Sequence, residues 1–144
     1  MKIVLGIICL LFGGFGWIGQ AISAMNYRFA QRLGLQEKSD ETDPLYRRAE
    51  INTAKWDSFV LWTLPVAGIL MLMNHPWWPY LSLIAGGIYL DSAGRETAKY
   101  SSLRKEGIRT GSQADVRVAG IFFSVMAIIA IWLILYSFWY ATNS

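Results

Sequence analysis

The sequence predicts an all-α membrane protein, a bundle of four transmembrane helices with cytoplasmic helix extensions. Three observations carry that prediction. Hydrophobic residues make up 54% of the 144, and only 16% are charged, against about 25% in ordinary soluble domains. The charges are segregated: no Asp, Glu, Lys or Arg occurs from Ile3 to Met25, from Ser58 to Leu90, or from Val118 onwards. The middle stretch is broken by Asn74-His75-Pro76-Trp77-Trp78-Pro79, which reads as a turn. One bilayer crossing takes about 20 residues. The first and last stretches therefore supply one crossing each and the middle one two. A soluble bundle would need a polar stripe on every helix, and Ile121 to Tyr140 offers almost none.

The first helix is expected over 3–33, running past Met25 and stopping at Gly34. Lys2, the apolar run and Gln20-Ala21-Ile22-Ser23-Ala24 share features with a cleavable secretory signal. The run is longer than a signal core, however, and Arg28 and Arg32 follow at once, so an uncleaved helix is expected. Gln36 to Thr42 reads as a polar loop. The second helix, over 44–73, starts with Asp43 as N-cap and Pro44 in the first helical position. Pro65 should bend it unless a neighbouring helix satisfies the freed carbonyl. The third, over 77–106, takes Pro79 in its first turn and ends at Gly107. Ser112-Gln113-Ala114-Asp115 resembles a capping box that opens the fourth, over 113–140. One internal echo is visible: Tyr27 precedes Gly34-Leu35 by the same interval as Tyr100 precedes Gly107-Ile108. A duplicated helical hairpin would produce it.

Twelve of the thirteen Lys and Arg residues lie in two segments, Arg28 to Lys55 and Arg95 to Arg117. With four crossings both segments share a side, which the positive-inside rule makes cytoplasmic. The expected location is a bacterial inner membrane, with both termini non-cytoplasmic. Trp77, Trp78, Tyr80, Tyr136, Phe138, Trp139 and Tyr140 then gather at the outer interface. Rows of small residues (Gly13, Gly16 and Gly19; Ser82 and Gly86; Gly120 and Ser124) suit close helix packing or an interface with another subunit.

Candidate chemistry is sparse. His75 is the only histidine and Cys9 the only cysteine. His75 could ligate haem iron or a chlorophyll magnesium, with Met71 or Met73 as a second haem ligand; a turn histidine at the water interface is the simpler reading. Cys9 cannot form an internal disulfide. Asp57 and Asp91 are the carboxylates nearest the hydrocarbon, and acids there are candidates for ion pathways. Asp91 and Arg95 are one turn apart and suited to pairing; together with Asp57 and Arg117 they could line an inner vestibule. Arg47, Arg48, Arg104 and Lys105 suit anionic lipid headgroups. Interspersed acids argue against nucleic-acid binding. Asp91-Ser92-Ala93-Gly94-Arg95 superficially resembles the acid-and-arginine motif of membrane phosphotransferases, but the further metal-binding aspartates are missing. No zinc spacing, phosphate loop or serine–histidine pair occurs.

A non-enzymatic accessory or assembly subunit of a respiratory or photosynthetic membrane complex is therefore expected, in contact with lipids and other membrane subunits. The alternative is a small homo-oligomeric transporter or channel.

Overall fold

A computed structural model describes residues 1–143. The described residues form six helices: α1 (Lys2–Met25), α2 (Tyr27–Arg32), α3 (Pro44–Val60), α4 (Thr63–Leu72), α5 (Trp78–Lys105) and α6 (Gln113–Asn143). Three helical stretches are long and apolar enough to cross a membrane: Lys2–Met25, Pro44–Leu72 (α3 continued by α4) and Gln113–Asn143. The all-helical membrane class thus holds, and three of the four expected crossings have helices of that length and apolarity. The fourth, α5, is mixed. It is apolar as far as Leu90, and its second half carries Asp91, Arg95, Glu96 and Lys99.

Contacts at the helix ends define the course of the chain. Lys2 donates to Asn74, and Trp78 lies against Tyr136 and Tyr140 with ring centroids 5.8 and 4.7 Å away. Both described ends of the chain and the α4–α5 turn therefore meet at one end of the bundle. At the other end the two charged loops pair with each other. The Asp43 amide donates to the Arg109 carbonyl at 2.9 Å and the Gly111 amide to the Glu41 carbonyl at 3.3 Å. Between them Thr42 and Thr110 form an antiparallel bridge, both buried.

The first helix ends sooner than its apolar pattern suggests. Asn26 takes an extended conformation (φ −149°, ψ 87°), and its side chain accepts from the Phe29 amide at 3.0 Å. Asn competes well for that capping role, so it closes α1 and starts α2. Both α2 and α5 then finish in the same way, with glycines in the left-handed region: Gly34 at φ 71° and Gly107 at φ 77°. Leu35 donates to Ala30 and Ile108 to Leu103, each at 3.0 Å, closing two Schellman motifs. The echoed tyrosine–glycine spacing thus corresponds to repeated local geometry. The Asp43 cap forms as expected, accepting from Leu45 at 2.8 Å. So does the capping box: the Asp115 amide donates to Ser112 Oγ at 3.2 Å and the Ser112 amide to Asp115 Oδ2 at 3.0 Å.

The expected second helix divides at Leu61–Trp62 into α3 and α4. Pro65 has no amide hydrogen for the Leu61 carbonyl four residues back. That oxygen accepts from the Leu64 amide at 3.4 Å and, more closely, from the hydroxyl of Tyr89 on α5 at 2.9 Å. An unpaired carbonyl in a bilayer interior costs several kcal/mol, so the kink and the tyrosine belong together.

Toward the turn end, backbones approach closely. A Cβ added to Gly68 would lie 2.7 Å from the Gly6 carbonyl oxygen and 2.7 Å from the Leu10 nitrogen. One on Gly13 would meet Pro65 at 2.8 Å, and one on Gly86 would meet Ile134 at 2.6 Å. Leu5, Cys9, Leu64, Met71, Trp78 and Leu133 fill the core there. By contrast, α1 and α6 meet sparingly, chiefly where Phe12 stacks on Phe122 at 5.0 Å.

Candidate functional site: an acid-lined cavity at the loop end

A cavity of about 450 Å³ occupies the loop-end half, between α1, α3, α5 and α6. Helical periodicity builds its walls. Glu50, Thr53, Asp57 and Leu61 recur at three- and four-residue intervals along one face of α3, and Tyr89, Ser92, Glu96 and Tyr100 along one face of α5. These helices turn their polar stripes inward, the reverse of a soluble bundle. The first loop folds back over the cavity. Gln36 donates to Ser23 at 3.1 Å and Gln31 to the Glu37 carbonyl at 2.5 Å, which brings Leu35, Gln36 and Glu37 into the lining.

Five carboxylates line the space: Glu37, Glu50, Asp57, Glu96 and Asp115. Two cations answer three of them. Lys99 bridges Glu50 and Glu96, while Arg95 Nη2 donates to Asp57 Oδ1 at 3.1 Å. Glu37 accepts from Tyr100 and, at 3.2 Å, from Tyr46, whose hydroxyl also lies 2.7 Å from that of Tyr100. Asp115 is engaged in its capping box. The lining therefore carries negative charge beyond what its paired cations neutralise. Glu96 is only 6% exposed, and its Oε1 has no partner among the described residues. Glu37 Oε2 is likewise buried without a partner among the described residues. Leaving a buried carboxylate oxygen unpaired is costly, so these two atoms are the open acceptors in the hydrogen bonding of the wall.

Protonation states at the loop end follow from these neighbours. Burial lowers the Lys99 ammonium, but the charges of Glu50 and Glu96 outweigh it and hold the pKa above its usual value. Lys99 is a fixed cation. Burial raises the Tyr100 phenol, and the adjacent Glu37 carboxylate raises it further. Tyr27 is raised in the same way, by burial and then by Glu37.

Of the residues singled out from sequence, the fold pairs Asp57, which lines the cavity, with Arg95, which lies exposed outside the lining. Asp91 lies exposed on another face of α5, and Arg95 reaches across to α3 instead of pairing with it. Arg117 is exposed on α6 and does not line the cavity. Arg47 and Arg104 are half-buried and Arg48 and Lys105 exposed, all at the loop end. His75 is exposed at the opposite end, where its Nδ1 accepts from the Trp77 amide at 3.3 Å. Among the described residues no three His, Cys, Asp or Glu side chains cluster as a metal site. Sequence reasoning missed Glu37, Glu50, Glu96 and the bridging role of Lys99. The inward polar rows of α3 and α5 were the available signal, masked because both rows sit in segments dense with loop charges.

Comparison of the chain with protein-family models, curated proteins and solved structures finds no match.

Proposed function

We propose that this protein is a small transporter or channel whose loop-end cavity takes up a cation. The observation that carries the reading is a cavity lined by five carboxylates, two of which, Glu50 and Glu96, are bridged by Lys99, itself outside the lining, with a buried Glu96 oxygen unpartnered. Buried ionisable groups are expensive, and a cluster of them lining a cavity is a candidate site for an ion or solute. Lys99 acts as a built-in counter-ion that an incoming cation displaces from Glu96. Asp57 and Arg95 hold the deeper wall in register.

In this reading all four long segments cross the membrane, α5 by its apolar first half. Both charged loops face the cytoplasm of a bacterial inner membrane, and the termini lie outside. Arg47, Arg48, Arg104 and Lys105 then meet lipid headgroups, and the protein works as a homo-oligomer. The test is flux of protons, alkali cations and tetramethylammonium into liposomes containing the purified full-length chain. Wild-type protein should conduct at least one of them, with the rate reduced about tenfold or more by Glu96→Gln, a loss typical of removing one charged partner. No flux and no binding of any of these cations would overturn the reading.

The accessory-subunit reading retains one specific support. Gly120 and Ser124 lie together on an exposed face of α6, and a Cβ on Gly120 would meet nothing within 4 Å. Such a face accepts another helix closely. Gentle purification from native membranes separates the two: a fixed set of unrelated subunits favours the accessory role, a homo-oligomer the transporter.

A further inference from the structure

We infer that the cation is amphiphilic and enters the cavity sideways from the membrane, through the seam between α1 and α6. This inference rests on the cation-binding reading above and adds the ligand's class and route. The first observation is the seam itself. The two helices touch where Phe12 stacks on Phe122, and the cavity begins on the loop side of that contact. Beside that contact it is lined by Phe15, Gly16 and Gly19 on α1 and by Val118, Ala119 and Phe122 on α6; the polar residues Gln20 and Asp115 follow only toward the loop end. The side chains of this rim, next to the Phe12–Phe122 contact, are thus apolar or absent.

The rim is also spacious. A Cβ on Gly19 would meet nothing within 4 Å, and one on Gly16 only the tip of Phe122, at 3.9 Å. These glycines do not mediate close packing as Gly13 and Gly68 do; they leave a notch. Phe15 and Val118 are 63% and 66% exposed on the outer surface, so the notch opens on the apolar flank rather than at the loop end. The loop end is covered by Leu35, Gln36 and Glu37.

Behind this apolar mouth stands the acid wall, with the unpartnered Oε1 of nine-tenths-buried Glu96. An apolar entrance leading to carboxylates matches one ligand chemistry, a positively charged head on an apolar tail. The head exchanges water for Glu96 and Glu50, and the tail stays between Phe15, Val118 and Phe122. A zwitterionic lipid fits less well, because its phosphate would stand among the same carboxylates. Partitioning of the tail into the bilayer concentrates the ligand at the mouth, with about 0.8 kcal/mol gained per buried methylene.

The experiment compares two probes with the same head, dodecyltrimethylammonium and tetramethylammonium. Equilibrium binding is measured on the full chain in lipid nanodiscs, with binding to empty discs subtracted. Dodecyltrimethylammonium should bind at least about tenfold tighter, and Glu96→Gln should weaken both probes. Gly19→Leu, which adds bulk where the fold has space, should weaken the tailed probe by a larger factor than tetramethylammonium. Equal affinities, or a Gly19→Leu protein that binds both probes normally, would overturn lateral entry while leaving a cation site. Binding of neither probe, with the protein still helical and monodisperse, would overturn the cation-binding reading with it.

Discussion

The two ends of this bundle solve the packing problem in opposite ways. At the turn end, glycines let backbones close up: Gly68 seats against Gly6 and Leu10, Gly86 against Ile134, and Trp78 against Tyr136 and Tyr140. At the loop end, glycines of the same helices face open space, and the elements are joined by long polar side chains reaching across a cavity. A membrane helix has no hydrophobic drive toward its neighbours, so it associates by close fit or by polar bonds. Here the first mechanism builds a scaffold and the second surrounds a site. Gly13 marks the border. It packs on Pro65, while its carbonyl lies 3.5 Å from the hydroxyl of Tyr89, whose ring lines the cavity.

That contrast can be broken most forcefully at Gly68. Gly68→Ala places a methyl 2.7 Å from two backbone atoms of α1, and backbone cannot yield as a flexible side chain does. A loss of about 3 kcal/mol is expected, at the upper end for overpacking. Gly120→Ala, where nothing lies within 4 Å, should be neutral or stabilise by up to about 1 kcal/mol, because alanine is the better helix former. Denaturant unfolding of both variants in detergent checks the pair, and similar losses would refute the contrast.

At the loop end the corresponding change is Lys99→Met. It strands Glu50 and Glu96, which share that ammonium. Breaking a buried pair typically costs about 3–5 kcal/mol; beside a cavity that admits water the expected loss is about 2 kcal/mol. Adding Glu50→Gln to Lys99→Met should recover part of it. Failure to recover would mean that the ammonium stem, not the charge, supplies the stability.

A finer test lies at the border. Tyr89→Phe removes the closer of the two donors to the Leu61 carbonyl, at a cost of about 1 kcal/mol. Pro65→Ala restores a backbone amide four residues after Leu61, so the loss from Tyr89→Phe should shrink in that background. Strict additivity of the two substitutions, measured as a double-mutant cycle, would show that the tyrosine and the kink are unrelated.

Sequence and structure agree where the signal is local. Asp43-Pro44, Ser112–Asp115, Gly34 and Gly107 each act within a few residues, and each cap forms as its chemistry dictates. Apolar runs likewise mark the membrane-length helices. What escaped is what depends on rotation about a helix axis. Asp91 and Arg95 are neighbours on a helical net, yet Arg95 points across to Asp57 because α3 stands on that side of α5. Asn26 looked like one polar residue in a continuing helix, and its capping of Phe29 depends on where the chain turns next. Glu37 read as a loop charge because the return of that loop over the cavity rests on Gln31, Gln36 and Gly111. A Cβ on Gly111 would lie 2.8 Å from Glu37 Cγ, and its φ of 110° already favours glycine.

The smallest expected effect concerns protons at the loop end. Tyr100 has its phenol raised by burial and by Glu37, so the folded state holds that proton more tightly than the unfolded chain does. The stability contributed by this difference is complete below the ordinary phenol value of about 10. It is lost as pH climbs past that value toward the higher folded one. The wild type should therefore weaken between about pH 9 and pH 11, and Tyr100→Phe should weaken less over the same interval, whatever its stability at neutral pH. Lys99, whose folded pKa is also raised, loses its contribution in the same direction but is common to both proteins, so the difference between them reports Tyr100 together with its hydrogen-bonded neighbour Tyr46. Unfolding midpoints at the two pH values suffice. Equal slopes would place Tyr100 in contact with water and Glu37 away from it, and the polar lid over the cavity would then be open at this end too.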